Sequence, residues 1–297
     1  RAAGAYEPGT GDWSRAIRGE PSTASSGVIV AAGWLGQARA RLAGRWALGS
    51  AQPRVLILTP LKDAADAIDG YCRLLESLTY PHGRICLGFL ESDSADGTFD
   101  AMRAALPGFR RGFATAGLWK HDFDYRLPPG IHRGDPRVQR QRRSVLARSR
   151  NHLLSRALDD ADWVLWLDVD VVAYPANIVE RLLDAGRGIV QPHCVLDPGG
   201  PTFDQNAWRD RGRLHLDDLR GEGEIVPLDA VGATMLLVRA DLHRDGLIFP
   251  PVPYRPGHPK ARRGQGELET EGLGMLAADM GESCWGIPGL EIIHRRA

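Results

Sequence analysis

Residues 163–170, Trp-Val-Leu-Trp-Leu-Asp-Val-Asp, carry the clearest structural signal in the chain. The five apolar residues are typical of a short strand buried on both faces. Asp168 and Asp170 follow it, and a spacing of two in extended backbone puts both carboxylates on one side. Two carboxylates this close repel each other at neutral pH unless a cation lies between them, and hard oxygen ligands favour Mg²⁺ or Mn²⁺. The alternative is a solvated strand end with acidic caps for the next helix. The position at a strand's carboxyl end favours the metal, because ligands of open α/β sheets bind there.

Strand and helix patterns alternate on both sides of this segment. Apolar runs predict strands over 55–58, 85–90, 188–195, 233–238 and 283–293, and apolar periodicity predicts helices over 64–78, 98–106, 137–158, 175–183 and 268–280. Residues 108–136 are predicted to form a long loop, and 250–266 a flexible lid or linker. The alternation predicts an α/β fold with a mixed, mainly parallel sheet flanked by helices.

The amino-acid composition argues against several classes of protein. The 297 residues are 43% hydrophobic, which excludes disorder for most of the chain, and 37 basic side chains balance 37 acidic ones. A formal charge of zero argues against a nucleic-acid partner. Four cysteines without CxxC spacing indicate neither a zinc ribbon nor a disulfide framework.

The expected organisation is an N-terminal arm over 1–50, with a short helix at 34–47, and one α/β domain over 51–297. No apolar run approaches the ~20 residues of a membrane helix, so we expect no transmembrane segment and a cytoplasmic protein. Because the chain begins at Arg1 rather than Met, a removed anchor or signal is an open alternative.

Isolated polar residues offer further candidates, each with a plain structural alternative. His294 follows an apolar run and could add a metal ligand, or it could be a surface residue. Asp93 lies in a polar turn, where it could bind a base or ribose, although a helix cap is the better interpretation. Asp229, Glu269 and Glu271 could orient a hydroxyl or act as a base, whereas carboxylates in a first helical turn also favour the helix dipole.

The predicted helix at 137–158 is rich in arginine. Arg143 and Arg150 are seven residues apart and share a face with Asn151. Arginine forks suit phosphates, so these residues could form a local phosphate clamp. A solvated helix face is the usual explanation for such a run.

Taken together, the chain resembles the fungal Anp1/Mnn9/Van1 mannosyltransferase family. The order of the matching residues is collinear over roughly 54–294. They are 57–62, 78–82, 92–94, 96–98, 139, 142–143, 146–151, 163, 166, 168–170, 204–206, 208, 229–232, 269–272 and 293–294. Departures are an insert at 255–266 and alanines at 230 and 233, where glycines are expected.

The resemblance implies a GT-A glycosyltransferase fold and retaining transfer of mannose from GDP-mannose with a divalent metal, Mn²⁺ or Mg²⁺. It implies that Asp168, Asp170 and His294 hold the metal. It further implies that Asp229 and Glu271 face the acceptor or the donor sugar. The residues implied at the nucleotide-sugar donor are Thr59, Pro60, Leu61, Asp93, Arg143, Arg150 and Asn151.

The function predicted on this basis is metal-dependent, retaining transfer of a sugar from a GDP-sugar to a hydroxyl of a glycan or small molecule. One rival is a sugar-phosphate nucleotidyltransferase, disfavoured because no Gly-rich phosphate loop with a following Lys lies near the first strand. The other is a non-catalytic nucleotide- or nucleic-acid-binding module built on the arginine-rich helix. Release of nucleoside diphosphate rather than pyrophosphate separates the first two, and steep salt dependence of oligonucleotide binding would indicate the third.

Overall fold

The computed structural model describes residues 52–296 with gaps at 129, 133 and 263, so the expected arm and its helix at 34–47 lie outside the described residues. The strands are β1 (Val55–Leu61), β2 (Ile85–Glu91), β3 (Thr115–Lys120), β4 (Trp163–Leu167), β5 (Val171–Ala173), β6 (Ile189–Val195), β7 (Val226–Leu228), β8 (Met235–Arg239) and β9 (Cys284–His294). The α-helices are α1 (Ile68–Glu76), α2 (Thr98–Gly112), α3 (Pro136–Ala157), α4 (Ile178–Asp184), α5 (Ala240–Arg244) and α6 (Glu269–Asp279).

All of these strands join one sheet in the order β3-β2-β1-β4-β8-β6-β9-β5, and β7 also pairs with β9. Strands β1 to β4 are mutually parallel where they pair, and β6 and β9 run in the same direction as them. Strands β5, β7 and β8 run the opposite way. The prediction of a mixed, mainly parallel sheet flanked by helices is therefore confirmed.

Strand β4 has a hydrophobic core on each of its faces. Trp163, Leu165 and Leu167 pack in one cluster with residues of α1, α2 and α4. Val164 and Trp166 pack in the other, with residues of α3, α5 and α6. Burial on both faces explains why the segment is an unbroken apolar run, as predicted.

The predicted loop over 108–136 is wrong in its first part. Helix α2 continues through Pro107 to Gly112, and β3 then adds to the sheet beside β2. The buried ring of Phe109 and the stacking of Phe113 on His82 anchor this part of the chain. Strand β3 is partly exposed at the sheet edge, so it lacks the long apolar run that marks β4.

The segment predicted as a flexible lid or linker makes contacts with the rest of the chain. His258 and Ala261 are buried, and Tyr254 forms a β-bridge with Glu267. Within the part of the chain that the structure describes, no helix is both long enough and apolar enough to cross a bilayer. The four cysteines are free thiols, with Cys72 half-buried and the other three buried.

Candidate functional site

The site lies where the parallel strands β1, β2 and β4 end. Asp168 follows β4 directly, and its backbone N–H donates to the carbonyl of Thr234, 2.9 Å away. After the turn through Asp170, β5 pairs antiparallel with the end of β9, in a register that sets Val171 opposite His294. This pairing brings together Asp170 and His294, which are far apart in the sequence.

Asp170 and His294, two of the three predicted metal ligands, are paired with each other. Asp170 Oδ2 lies 3.0 Å from His294 Nε2. His294 Nδ1 lies 2.6 Å from the carbonyl oxygen of Arg295, so this nitrogen donates and Nε2 is turned toward the carboxylate. Burial lowers the pKa of His294, but the hydrogen bond and charge of Asp170 outweigh burial and raise it.

The spacing of this pair suits a hard divalent cation. Two neighbouring ligands of an octahedral Mg²⁺ or Mn²⁺ ion, with bonds of about 2.1 Å, lie about 3 Å apart. A cation would replace the proton that Asp170 and His294 now share. Among the described residues, no group of three His, Cys, Asp or Glu side chains is arranged to hold a metal. The protein would therefore supply two ligands, and water and substrate oxygens the rest.

Asp168 is turned toward an arginine. Its Oδ1 accepts a hydrogen bond of 3.2 Å from Arg150 Nη2, and its side chain is 27% exposed. Burial raises the pKa of Asp168 to about 6; Arg150 opposes this shift, while Asp170 adds to it. Asp168 and Asp170 therefore share an edge, as predicted, but have different partners.

Arg143 and Arg150 do not form a solvated helix face. Arg143 donates to Glu269 Oε2 at 3.1 Å, to Glu271 Oε2 at 2.7 Å and to the carbonyl of Leu268 at 2.8 Å. Arg150 donates to Glu269 Oε1 as well as to Asp168. A chain of alternating charges thus runs from Asp168 through both arginines to Glu271, and the predicted phosphate clamp has carboxylate partners in this structure.

Glu269, a candidate from the sequence to which the family resemblance gave no role, is the central member of this network. It is 3% exposed and has a positive φ of 57° at the first residue of α6. An unfavourable backbone conformation that holds a buried charge is typical of functional sites. In the sequence, the feature that marks Glu269 as a candidate is its position two residues before Glu271.

Asp229 and Glu271 are connected through Trp208. The indole Nε1 of Trp208 donates to Glu271 Oε1 at 2.8 Å, and the backbone N–H of Asp229 donates to the carbonyl of Trp208 at 2.9 Å. Glu271 thus has both oxygens occupied, since Oε2 accepts from Arg143. Asp229 accepts from the backbone N–H of Asp210 at 2.8 Å and lies 3.2 Å from Lys260 Nζ.

Asp204 is a second buried carboxylate that the site prediction did not include. It accepts from Thr234 Oγ1 at 2.9 Å and from the backbone N–H of Asn206 at 3.2 Å. A Cβ added to Gly232 would come within 1.7 Å of Asp204 Oδ2, so only glycine fits there. Burial raises the pKa of Asp204, which its hydrogen bonds oppose. In the sequence, the feature that could have marked Asp204 as a site residue is the segment Asp-Gln-Asn at 204–206, which is among the residues that match the family.

Asp93 does not cap α2, which corrects the favoured interpretation. Its two carboxylate oxygens accept the backbone N–H groups of Phe123 and Asp124, each at 3.0 Å. Asp96 rather than Asp93 lies at the start of α2, where its Oδ1 accepts from the backbone N–H of Thr98 at 3.0 Å. In this structure Asp93 fixes the loop that follows β3.

Three other residues predicted at the donor have partners inside the protein. Thr59 is buried, with its hydroxyl 2.5 Å from that of Tyr71, and Leu61 is part of the core. Asn151 uses both ends of its amide on the backbone of Phe249, with hydrogen bonds of 2.7 and 2.9 Å. Because the side chains of Thr59 and Leu61 are buried, a ligand at this edge would contact their backbone. The side chain of Pro60, between them, is half-buried.

Two neighbouring cavities open beside Asp170. The smaller, of about 250 Å³, is lined by Asp170, His294 and charged residues of the loop after β1. The larger, of about 440 Å³, lies between α1 and β5. Asp66, Asp170 and Arg295 line both cavities.

The sequence of this chain matches a known protein family and several known proteins. The Anp1 family model matches residues 44–219 and 212–253. The mannan polymerase II complex anp1 subunit of Schizosaccharomyces pombe is 28% identical over 82% of this chain, which spans 64% of that protein. The mannan polymerase complex subunit mnn9 of the same yeast is 29% identical over 81% of this chain and 79% of its own length.

A solved structure supports the fold assignment. The mannosyltransferase PcManGT of Pyrobaculum calidifontis, in complex with GDP-Man and Mn²⁺, superposes with a TM-score of 0.52 and 18% identity, covering 90% of this chain and 67% of that one. The fold is therefore of the GT-A type. Because the family model matches well over half of the residues, this chain belongs to the Anp1 family.

Proposed function

We propose that this chain is a metal-dependent glycosyltransferase that moves mannose from a GDP-linked donor to a hydroxyl of a glycan or small molecule, with retention of configuration. The observation that carries the proposal is the pair Asp170 and His294, 3.0 Å apart beside Asp168 at the carboxyl edge of the sheet. The relation to mannan polymerase subunits supports mannose as the sugar, and the GDP-Man and Mn²⁺ of the Pyrobaculum structure support this donor and metal.

Asp170 and His294 would hold the cation, with Asp168 beside them. When bound, the cation stabilises the negative charge that grows on the leaving diphosphate as the glycosidic bond lengthens. His294 must be neutral to act as a ligand, so the proton held between it and Asp170 leaves when the site is filled.

The charged network gives the site a fixed geometry. Glu269 and Glu271 hold Arg143 and Arg150, so Arg150 Nη2 stays directed at Asp168. Glu271, with both oxygens occupied, is better suited to positioning than to attack. Asp229 is the carboxylate that could face an acceptor hydroxyl; its partners are a lysine and a backbone N–H.

The test is a product analysis. The full chain is incubated with GDP-mannose, Mn²⁺ and an α-mannoside acceptor, and the anomeric configuration of the product is read by NMR. We expect release of GDP, an α-linked product and no turnover with a chelator present. Release of pyrophosphate from mannose 1-phosphate and GTP would instead identify a nucleotidyltransferase. If UDP- or ADP-sugars replace GDP-mannose with equal rates, the donor assignment is wrong.

A further inference from the structure

The basic residues that line the smaller cavity are Lys62, His294, Arg295 and Arg296. Of these four, only Arg295 also lines the larger cavity. His294 is held by Asp170, and Lys62 Nζ donates to the carbonyl of Asp93 at 2.5 Å. Arg296 is paired with Asp197 and is 68% exposed. Arg295 is paired with Asp66 at 2.8 Å, and these two residues line both cavities.

The backbone of Arg295 is fixed to the site. Its N–H donates to the carbonyl oxygen of Asp170 at 2.8 Å, and the carbonyl of Arg295 accepts from His294 Nδ1. The residue is therefore bonded to both members of the metal-binding pair. Its guanidinium can change partner without any movement of the strand that carries His294.

The ion pair that now holds the Arg295 side chain is a weak one. Arg295 and Asp66 are 49% and 68% exposed, and exposed pairs contribute little because water screens them. A diphosphate carries more negative charge than one carboxylate and offers several oxygens to the planar guanidinium fork. A diphosphate in the cavity would thus compete well with Asp66.

We propose that Arg295 binds the diphosphate of the nucleotide-sugar donor and that Asp66 holds this side chain in the absence of donor. The inference rests on the proposed function, because it takes the donor to be a nucleoside diphosphate sugar. It adds a binding residue outside the predicted set, on the segment that follows β9. The expected contact is a charge-assisted hydrogen bond from the guanidinium to a phosphate oxygen.

The test measures GDP binding to the full chain with Mn²⁺ by isothermal titration calorimetry. Arg295→Gln is expected to raise the Kd about tenfold, as for the loss of one charge-assisted hydrogen bond. Arg295→Lys should recover part of the loss, because it keeps the charge but not the fork. The effect should be smaller for GMP than for GDP.

A matched control is available on α2. Arg103 and Asp100 form an exposed pair of 2.9 Å, with side chains 66% and 71% exposed, away from both cavities. Arg103→Gln should leave the Kd unchanged. Asp66→Asn should tighten GDP binding about threefold in the native protein, because no carboxylate then competes with the diphosphate for Arg295. In the Arg295→Gln background the same substitution should have a smaller effect.

The outcomes separate the two proposals. If the native protein binds GDP and Arg295→Gln binds it equally well, or if Arg103→Gln weakens binding as much, the assignment of Arg295 is wrong while the proposed function stands. If the native protein binds no nucleotide with Mn²⁺, the proposed function fails and this inference fails with it. Melting temperatures of all variants establish that each one is folded.

Discussion

At the scale of single residues, the site depends on which partner each charged group has. Asp170 is paired with a histidine, whereas Asp168 is paired with an arginine. A proton bound between Asp170 and His294 can be exchanged for a cation, because both are metal ligands once deprotonated. An arginine cannot be exchanged in this way, so the two aspartates have different kinds of partner despite their spacing.

Asp170→Asn tests the metal role. The substitution removes a negative charge from the pair, so we expect Mn²⁺ affinity to fall by at least about tenfold. Electron paramagnetic resonance of free Mn²⁺ during a titration measures the affinity. Asp100→Asn, an exposed aspartate on α2, serves as the control. Equal Mn²⁺ affinity in Asp170→Asn and the native protein would contradict the assignment.

Glu269→Gln tests the buried network. The change leaves Arg143 and Arg150 with less compensating charge in the interior, and breaking a buried ion pair typically costs about 3–5 kcal/mol. Both arginine side chains are mostly buried, at 16% and 5% exposure. Urea denaturation measures the free energy of unfolding. A loss no larger than that of Asp100→Asn would show that these ion pairs contribute little.

At the scale of elements, hydrogen bonds from helix α3 hold a distant segment in place. Asn151 binds both the N–H and the carbonyl of Phe249, whose ring is buried and packs edge-on against Trp166 at 4.9 Å. The amide therefore fixes the position of an aromatic ring that packs on β4.

Asn151→Ala should destabilise the protein by about 1–3 kcal/mol, because the two backbone groups of Phe249 lose their partners. Thermal unfolding measures the change. Ser155→Ala, on the same helix, removes a hydrogen bond within that helix and should cost less. If the two variants unfold at the same temperature, the hydrogen bonds of Asn151 to Phe249 do not stabilise the fold as proposed.

Helix α5 provides a pH-dependent contact with β4. His243 Nε2 accepts from Trp166 Nε1 at 3.2 Å, and its Nδ1 donates to the carbonyl of Leu247 at 2.6 Å. Burial lowers the pKa of His243 to about 4. A lowered pKa means that the native state binds fewer protons than the unfolded state, in which the pKa is near 6.5.

We therefore expect stability from the neutral ring to be complete above pH 6.5 and to be lost as the pH falls toward 4. Between pH 7.5 and pH 5 this loss amounts to about 2 kcal/mol. Urea denaturation at both pH values measures the free energy of unfolding of the native protein and of His243→Gln. The loss between the two pH values should be about 2 kcal/mol smaller in His243→Gln. An equal loss in both proteins would mean that His243 is not the titrating group.

Local patterns predict an element best where its sequence carries a clear apolar run or period. Strand β4 has a core on each face and appears in the sequence as an unbroken apolar run. Strand β3, at the edge of the sheet, gives no such run, and α2 passes Pro107 because aromatic packing anchors its end. Contacts that depend on the assembled fold are not visible in a local window.

At the scale of the whole molecule, the same limit applies to the site. The carboxyl end of β4 follows from the sequence, as do Asp168 and Asp170 beside it. Arg143 and Glu269 are 126 residues apart, and Asn151 and Phe249 are 98 apart, so no spacing rule predicts these pairs. The family resemblance pointed to residues that the fold brings together at one edge of the sheet, but the partners of these residues could be read only from the fold.

The proposed function requires a cation between Asp170 and His294 that binds the donor. A crystal structure of the full chain with GDP and Mn²⁺, with anomalous data for manganese, tests this most directly. We expect an anomalous peak about 2.2 Å from an Asp170 carboxylate oxygen and from His294 Nε2, in contact with a diphosphate oxygen. A bound nucleotide with no manganese there, and with Asp170 and His294 still bonded to each other, would contradict it.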